Sequence, residues 1–355
     1  MVVKIRSRTL FFAKRPLIAA FLLWVGLWLA SCSASHEDAL IFSGPTMGTR
    51  YNITLVPQVG LQKRAGQESV QADVDRVLQQ INQSMSTYIS DSEVSTFNRF
   101  AVEQWFDVSA DLCRLLQISQ DISELSGGRF DPTVGPLVNL WGFGPIDVDA
   151  QGPEQSEIEA MLERTGYTLL EIDCAAQRIK KLKDIYLDLS AIAKGYAVDR
   201  LADYLLAAGW QRFMIEIGGE IRTAGLSHRG EPWRIGVELP SLLRSEVMQA
   251  IAIENGAIAT SGDYRNYREI DGKRLSHTID PGTGRPVEHR LASVTVVAQT
   301  AAQADALATA INVMGPDQGF TFAQQQKLAA FFIIRESKGF SVKYTTEFET
   351  YRVNL

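Results

Sequence analysis

Residues 213–225, FMIEIGGEIRTAG, carry the pattern that decides the fold. Phe213, Ile215 and Ile217 recur at every second position, and Gly218-Gly219 interrupts the alternation. Alternation around two glycines is typical of a β-hairpin, because glycine adopts the positive φ values that a two-residue turn requires. Residues 250–262, AIAIENGAIATSG, repeat the pattern around Asn255-Gly256. The sequence therefore predicts two hairpins and largely antiparallel sheets.

The segments around these hairpins mix further strands with long helices. Helical spacing or capping residues predict helices at residues 70–81, from Ser109 to Gly127-Gly128, from the capping box Ser156 and Glu159 to Gly166, at residues 191–209, and at residues 301–314 with the capping box Thr300 and Gln303. Further strands are predicted at residues 47–56, 184–190, 292–298, 327–336 and 339–346, and an irregular loop at 127–144. Hairpins mixed with several long helices indicate an α+β fold with mixed, largely antiparallel sheets.

The first 31 residues have the build of an export signal. A basic start precedes an uncharged run of 14 residues, 17–30, whereas a membrane span needs about 20 apolar residues. The sequence Leu29-Ala30-Ser31-Cys32 resembles a bacterial lipobox, which predicts cleavage before Cys32 and a lipid on its thiol. An uncleaved anchor helix is the alternative.

Either alternative puts the rest of the chain outside the cytoplasm and tethers it to a membrane. Residues 32–42 are predicted to form the tether, and residues 43–355 the globular domain. Ser33, rather than an aspartate, follows Cys32. This favours the periplasmic face of the outer membrane over the inner membrane in a cell with two membranes.

Charge and cysteine content argue against several classes of function. The leader carries 5 of the 35 Lys and Arg residues and none of the 41 Asp and Glu residues, so the chain after it has a net charge of −11. An acidic chain without a basic stripe is a poor nucleic-acid binder. Cys113 and Cys174 could form one disulfide, but their apolar neighbours favour two buried thiols. The sequence has no CxxC motif and no Cys/His cluster, which argues against zinc and iron–sulfur sites.

Two segments combine ligand-type side chains with a helix start. Asp305 and Thr309 are spaced i, i+4 and share one helix face, where carboxylate and hydroxyl oxygens suit Mg²⁺. Helix capping is the alternative role for such residues. The helix predicted at residues 191–209 follows Asp188, and Lys194 lies one turn into it. The unpaired N–H groups of a helix start and a lysine side chain suit a phosphate group. A capped helix with a solvated lysine is the alternative there.

Two further segments have compositions that suit a ligand. Residues 127–144, GGRFDPTVGPLVNLWGFG, combine glycines with aromatic rings, a composition that suits the binding of a flat aromatic ligand. A surface loop anchored by buried aromatic side chains is the alternative. Residues 275–287, LSHTIDPGTGRPV, form a predicted turn that also carries hydroxyls, a carboxyl group and His277. His277 could act as a base near neutral pH or could make only a structural hydrogen bond.

Taken in order, these segments resemble the ApbE family of FAD:protein FMN transferases. The similar stretches are GPTMGTRYNITL, MSTYISDSEVSTFN, GGRFDPTVGPLVNLWGFGP, DLSAIAKGYAVD, IEIGGEI, GDYRNYREIDGKRLSHTIDPGTGRPV and ADALATAINVMG, within about residues 43–315. The resemblance implies two lobes around a flavin-nucleotide cleft. It also implies that FMN passes from FAD, with Mg²⁺, to a Thr or Ser hydroxyl of an extracytoplasmic subunit of a redox-driven ion pump or a related electron-transfer protein, releasing AMP.

The resemblance further assigns roles to individual residues. The implied FAD contacts are Met47, Tyr88, Arg129, Phe130, Asp131, Asp188, Lys194 and the backbone of Ile279. The implied metal ligands are the Ala191 carbonyl, Asp305 and Thr309, and His277 is the implied base for the acceptor hydroxyl. Some family members carry an acidic residue where Lys194 stands, which leaves the detailed role of this lysine open.

Two other functions fit the same residues. With water as the acceptor, the protein would be an FAD pyrophosphatase that yields FMN and AMP. A flavin-binding lipoprotein without catalysis is the second alternative, and His277, Asp305 and Thr309 count against it.

Overall fold

The structure is a computed structural model that describes residues 39–58, 67–145, 152–240, 246–262, 267–270 and 273–354. The leader, Cys32 and most of the tether lie outside the described residues, so the predictions about them stay predictions. Asp38–Leu355 form one compact unit, and the division into two lobes also stays a prediction. Among the helices of the described ranges, none combines the length and the apolar character that a membrane crossing needs.

Strands and helices alternate irregularly along the chain. The described strands are β1 Leu40–Thr46, β2 Thr49–Leu55, β3 Trp105–Asp107, β4 Leu170–Asp173, β5 Arg178–Lys181, β6 Phe213–Ile217, β7 Glu220–Ala224, β8 Trp233–Glu238, β9 Val247–Ile253, β10 Gly256–Gly262, β11 Tyr267–Ile270, β12 Lys273–Ser276, β13 Ile279–Asp280, β14 Arg285–Pro286, β15 Leu291–Ala298, β16 Ala329–Arg335, β17 Phe340–Tyr344 and β18 Arg352–Val353. The described helices are α1 Gln67–Met85, α2 Glu93–Asn98, α3 Ala110–Ser126, α4 Gly135–Leu140, α5 Gln155–Leu162, α6 Ala193–Ala207, α7 Ala301–Gln325 and α8 Thr346–Glu349. This mixture confirms the predicted α+β class.

An eight-stranded antiparallel sheet, in the order β1-β2-β6-β7-β10-β15-β16-β17, runs through the fold. Ala330 and Phe332 of β16 belong to the main core together with residues of the long helices, whereas Phe331 and Ile333 pack with residues of β8 and β9. Because successive residues of a strand face opposite sides, both faces of the sheet are buried. Each of the larger side chains, Phe331, Phe332 and Ile333, contributes roughly 1.5–3 kcal/mol by leaving water.

The hairpin at residues 213–225 is confirmed, because β6 and β7 pair on either side of Gly218-Gly219. The prediction of a hairpin at residues 250–262 is wrong. β9 pairs with β8 and β18, while β10 pairs with β7 and β15 of the central sheet, so the chain changes sheets at Asn255-Gly256. Asn255 uses its side-chain oxygen to accept a hydrogen bond from Gly225 N at 3.0 Å. The turn signal is therefore real, but it makes a corner between two sheets.

The structure also moves several predicted boundaries. The helix predicted from Ser156 begins at Gln155, with Glu154 and Glu157 forming the capping box and the helix ending at Leu162. Residues 184–190 make only one isolated bridge, between Tyr186 and Val134, instead of a strand. The loop at 127–144 contains helix α4, and the sheet begins at Leu40, inside the predicted tether.

Cys113 and Cys174 form a disulfide, so the prediction of two buried thiols is wrong. Cys113 is buried on α3, but Cys174 lies exposed in the turn between β4 and β5. Cys174 was predicted to be buried because its neighbours in the sequence are apolar. This prediction fails because a turn residue projects away from the strands that flank it. The bond ties the small sheet β3-β5-β4 to α3.

Candidate active site

Helix α7 presents the predicted metal-binding oxygens. Asp305 is 5% exposed, and its Oδ2 accepts a hydrogen bond from Gly195 N at 3.2 Å. Thr309 follows one turn later on the same face. A Cβ atom on Gly195 would lie 2.3 Å from the Ala301 carbonyl oxygen, so only glycine lets α6 and α7 approach this closely. The start of α6 and the carboxylate of Asp305 are thereby fixed against each other.

Asp199 holds the N-terminus of α7, a role that sequence reasoning missed. Its two carboxylate oxygens accept hydrogen bonds from Ala301 N and Ala302 N, both at 2.9 Å. The Arg222 guanidinium donates to Asp199 Oδ1 at 2.5 Å from the central sheet. Carboxylates at helix N-termini satisfy unpaired N–H groups and the helix dipole. The signal in the sequence was only an aspartate one turn beyond Lys194, with no indication of its partner.

Lys194 lies between two buried carboxyl groups. Its Nζ is 2.9 Å from Glu220 Oε1 and 3.8 Å from Asp305 Oδ2. Burial alone would lower the pKa of this amine, but the charges of Asp305 and Glu220 raise the pKa above its usual value, so Lys194 stays cationic. Sequence reasoning did not single out Glu220, because it lies in a strand pattern 26 positions after Lys194.

Burial is also the largest influence on the two carboxyl groups. It raises the pKa of Glu220 to about 8, while the Lys194 ammonium acts in the opposite direction and Asp305 acts in the same direction. Burial likewise raises the pKa of Asp305, opposed by Lys194 and the Gly195 N–H group. Glu220 Oε2 is buried and has no hydrogen-bond partner. The cluster is therefore poised to gain stability from an added cation near Asp305.

Met47 lies at the tip of the β1–β2 hairpin with a φ of 47°, followed by Gly48 with a φ of 71°. A non-glycine residue in this region is uncommon and often marks a functional position. The turn reaches the Lys194 region through Gly218, where a Cβ atom would lie 3.0 Å from Thr49 Cγ2 and 3.5 Å from Lys194 Cδ. The Met47 and IEIGGEI motifs therefore meet beside Lys194.

Asp188 and Ala191 lie in the irregular segment that leads into α6. Asp188 Oδ1 accepts a hydrogen bond from Ser190 N at 2.9 Å, and Asp188 N donates to the Pro132 carbonyl at 2.8 Å. Asn98, from the MSTY-containing motif, exchanges two hydrogen bonds with the backbone of Leu187, at 2.8 and 3.0 Å. These bonds replace the ladder that a strand would supply. They bring three of the motifs together around residues 187–191.

Tyr88 is 70% exposed, and its remaining partial burial together with the Asp188 charge raises the pKa of its hydroxyl. An exposed tyrosine ring with an apolar body and a polar tip is available to stack on a planar ligand. Its neighbourhood to Asp188 is consistent with the implied FAD contact, which stays a prediction.

The three residues of the GGRFD motif face different surroundings. Arg129 pairs with Asp280 of the 275–287 turn, with Nη1–Oδ distances of 3.0 and 3.2 Å, and Phe130 is buried in the main core. Both Asp131 oxygens are occupied: Oδ1 accepts from Thr133 and Oδ2 from Tyr167 N at 2.8 Å. Burial raises the pKa of Asp131 against these hydrogen bonds. The implied FAD contacts of these three residues stay predictions.

The 275–287 turn closes the arrangement. His277 is partly buried, with its ring in edge contact with Phe143 at a centroid distance of 6.5 Å. Ile279 is 5% exposed and packs in a small core with Leu137 and Trp141. Gly284, with a φ of 68°, lies against this core, so the turn is rigidly seated. The base role of His277 and the backbone role of Ile279 stay predictions.

The chemistry of the donor set fits Mg²⁺ with a ligand phosphate. Among the described residues, no three His, Cys, Asp or Glu side chains form a group that could hold a metal ion alone. Asp305, Thr309 and the Ala191 carbonyl would supply hard oxygens, with phosphate and water completing the six positions that Mg²⁺ requires. Burial raises the pKa of Asp305, and a cation bound beside it would favour the charged form of this carboxyl group.

A family model described as the ApbE family matches residues 47–332. The chain belongs to the ApbE family. A FAD:protein FMN transferase from Vibrio cholerae is 42% identical over 325 residues, 92% of this chain and 96% of the relative. The solved structure of the flavin transferase ApbE from Vibrio cholerae matches with a TM-score of 0.81 and 41% identity, covering 88% of this chain and 99% of that chain.

A second solved structure, the apo form of the flavinyl transferase ApbE from Pseudomonas stutzeri, has a TM-score of 0.80 and 38% identity, covering 88% of this chain and 96% of that chain. These comparisons confirm the resemblance drawn from the motifs. This ApbE-family protein is an enzyme of the transferase class.

Proposed function

We propose that this ApbE-family protein transfers the FMN half of FAD to a Thr or Ser hydroxyl of an extracytoplasmic electron-transfer protein, with Mg²⁺ as cofactor, and releases AMP. The acceptor class is a subunit of a redox-driven ion pump or a related complex. The curated name of the Vibrio cholerae relative, which covers almost the whole chain, supports the reaction type. The α7 face that presents Asp305 and Thr309 beside Lys194 supports a pyrophosphate substrate.

The proposed reaction exchanges one phosphate bond for another. The acceptor oxygen attacks the phosphorus of the FMN half, the P–O bond to AMP breaks, and a phosphoester to the acceptor forms. His277 would take the proton of the acceptor hydroxyl, a step that typically contributes about 10²- to 10⁴-fold in rate. Lys194 would contact the pyrophosphate from one side, held by Glu220 at 2.9 Å. Mg²⁺ at Asp305, Thr309 and Ala191 would supply neutralisation of the phosphate charge.

The observation that carries the proposal is the joining of two motifs, DLSAIAKGYAVD and ADALATAINVMG, at one place. Asp305 Oδ2 accepts from Gly195 N, lies 3.8 Å from Lys194 Nζ, and shares a helix face with Thr309. In phosphoryl transfer a protein mainly orients groups and neutralises charge. A fixed carboxylate, a neighbouring ammonium group and a hydroxyl are the groups that this chemistry requires.

The proposed location follows from the leader. Cys32 would carry a lipid that anchors the protein at the periplasmic side of the cell envelope. Ser33, which follows Cys32, favours retention at the outer membrane over the inner membrane. The acceptor would then be reached in the same compartment. The Cys113–Cys174 disulfide supports an oxidising compartment, because such bonds persist there and are rare in the cytoplasm.

Incubation of the protein with FAD, MgCl₂ and a candidate acceptor domain, followed by intact-mass analysis, tests the proposal. Addition of one FMN to the acceptor and an equal amount of AMP is the expected result. AMP and free FMN without acceptor labelling would instead identify an FAD pyrophosphatase. FAD binding without either product would identify a flavin-binding lipoprotein. An acceptor with its Thr changed to Val is the matched control, because it keeps the shape of the side chain without the hydroxyl.

A further inference from the structure

Helix α7 breaks at Gly315, ten residues after Asp305, where the proposed metal face starts. Gly315 has a φ of 77° and a ψ of −175°, and Pro316 follows it. In a continuous helix the Asn312 carbonyl would accept a hydrogen bond from the N–H of residue 316, which proline lacks. His289 supplies the missing donor, since its Nε2 lies 2.5 Å from the Asn312 oxygen. Leu291 N donates to His289 Nδ1 at 3.3 Å, which leaves Nε2 as the protonated nitrogen.

Asn312 is therefore held by its backbone, and its side chain is held as well. The side chain is fully buried, and Nδ2 donates to Ser261 Oγ at 3.0 Å and to Thr278 Oγ1 at 3.4 Å. Its Oδ1 is buried without a hydrogen-bond partner. A buried amide with an unsatisfied oxygen costs stability, and a leucine of similar volume would avoid that cost. What the asparagine adds is the pair of hydrogen bonds from Nδ2.

These hydrogen bonds join two parts of the proposed active site. Asp305, Thr309 and Asn312 are spaced i, i+4 and i+7, so they lie along one face of α7. Thr278 stands directly between His277 and Ile279 in the 275–287 turn. The Asn312 amide thus links the helix that carries the metal-binding oxygens to the turn that carries the base.

We propose that Asn312 is a positioning residue that fixes the His277 turn relative to Asp305 and Thr309. This inference rests on the proposed transferase function and on the base role of His277. Asn312 acts through Thr278, and His289 keeps Asn312 in place at the helix break. Loss of the amide lets the turn shift while leaving the metal-binding oxygens on α7, and a displacement of about 1 Å at a reacting group costs roughly 10²-fold in rate.

The test compares full-length wild type with Asn312→Leu, Thr278→Val, Thr278→Ser and Ser261→Ala. FMN transfer to the acceptor gives kcat, flavin fluorescence gives FAD affinity, and thermal unfolding gives Tm. Asn312→Leu and Thr278→Val should each lower kcat about 10²-fold. The double variant should fall no further than about twofold below either single variant, because both changes remove the same hydrogen bond.

Two controls separate positioning from stability. Thr278→Ser retains the hydroxyl and should recover kcat to within about twofold of wild type. Ser261→Ala removes the other acceptor of the same amide, so its Tm should fall as in Thr278→Val while its kcat stays within about twofold of wild type. If Asn312→Leu does not fold, Thr278→Val against Thr278→Ser makes the same comparison.

Wild-type kcat in Thr278→Val, or an equal loss of kcat in Ser261→Ala, would overturn the positioning role. A wild-type protein that labels no acceptor would overturn the proposed function and this inference with it. If wild type and every variant label the acceptor at the same rate, the proposed function holds and Asn312 has no positioning role in it.

Discussion

The disulfide between Cys113 and Cys174 should contribute strongly to stability. The two residues are 61 positions apart, so the bond closes a long loop in the unfolded chain. The loss of chain entropy predicted for a loop of this size corresponds to about 4 kcal/mol at 25 °C. For the folded unit Asp38–Leu355, an unfolding entropy of about 2.1 cal/mol/K per residue converts this loss to a fall in Tm of roughly 6 °C.

Urea unfolding with and without reductant measures this contribution. Cys174 is exposed in its turn, so reductant reaches the bond in the folded protein. Reduction should lower the free energy of unfolding of wild type by about 4 kcal/mol. The double variant Cys113→Ala, Cys174→Ala is the control, because reductant should leave its unfolding curve unchanged. A wild-type loss below about 1 kcal/mol would refute the reasoning, since it would mean that the bond constrains little of the unfolded chain.

Asp305→Ala should abolish FAD turnover with Mg²⁺ while the protein still unfolds cooperatively, because the unpaired Gly195 N–H costs only about 1–3 kcal/mol; wild-type turnover in a folded variant would remove Asp305 from the site. His277→Ala should bind FAD with near-normal affinity by flavin fluorescence but lose transfer, whereas a purely structural role predicts weaker FAD binding and a lower Tm. Tyr51 donates a hydrogen bond to Asp75 at 2.6 Å, and burial raises the pKa of Tyr51 to about 12. The folded state therefore holds this proton more tightly than the unfolded chain, so the free energy of unfolding should fall between about pH 10 and pH 12. Tyr51→Phe should reduce that fall when urea unfolding is measured across pH. Cys32→Ser should give an unlipidated precursor, and fatty-acid labelling that persists in this variant would disprove the lipobox prediction.

The sequence predicted helix ends well where the residues that determine the end lie next to the helix. Ser109 and Gly127 bound α3 as predicted, because the cap and the left-handed residue lie next to the helix that they end. Asn255-Gly256 marked a real change of direction, but the choice between a hairpin and a corner depends on which strands lie nearby. That choice is made by tertiary packing, which a turn signal does not contain.

The same limit applies to the candidate active site. Asp305, Thr309 and Lys194 could be chosen from their residue types and helical spacing. Glu220 and Asn312 could not, because their importance depends on partners that are distant in the sequence and adjacent only in the fold. Their residue types and local patterns give no sign of these partners. A buried polar group becomes informative once its hydrogen bonds are visible.

The β1–β2 hairpin also determines how a pulling force would reach the active site. Leu40 faces Leu55 at the open end of the hairpin, and Thr46 faces Thr49 at the closed end beside Met47. Tension on the chain before Leu40 would peel β1 from the edge of the sheet, breaking its hydrogen bonds in sequence over about 20 Å. Met47, at the far end, would be the last part of the hairpin to yield. If Cys32 carries the proposed lipid, a force on this anchor would therefore distort the turn beside Lys194 only after β1 has separated from β2.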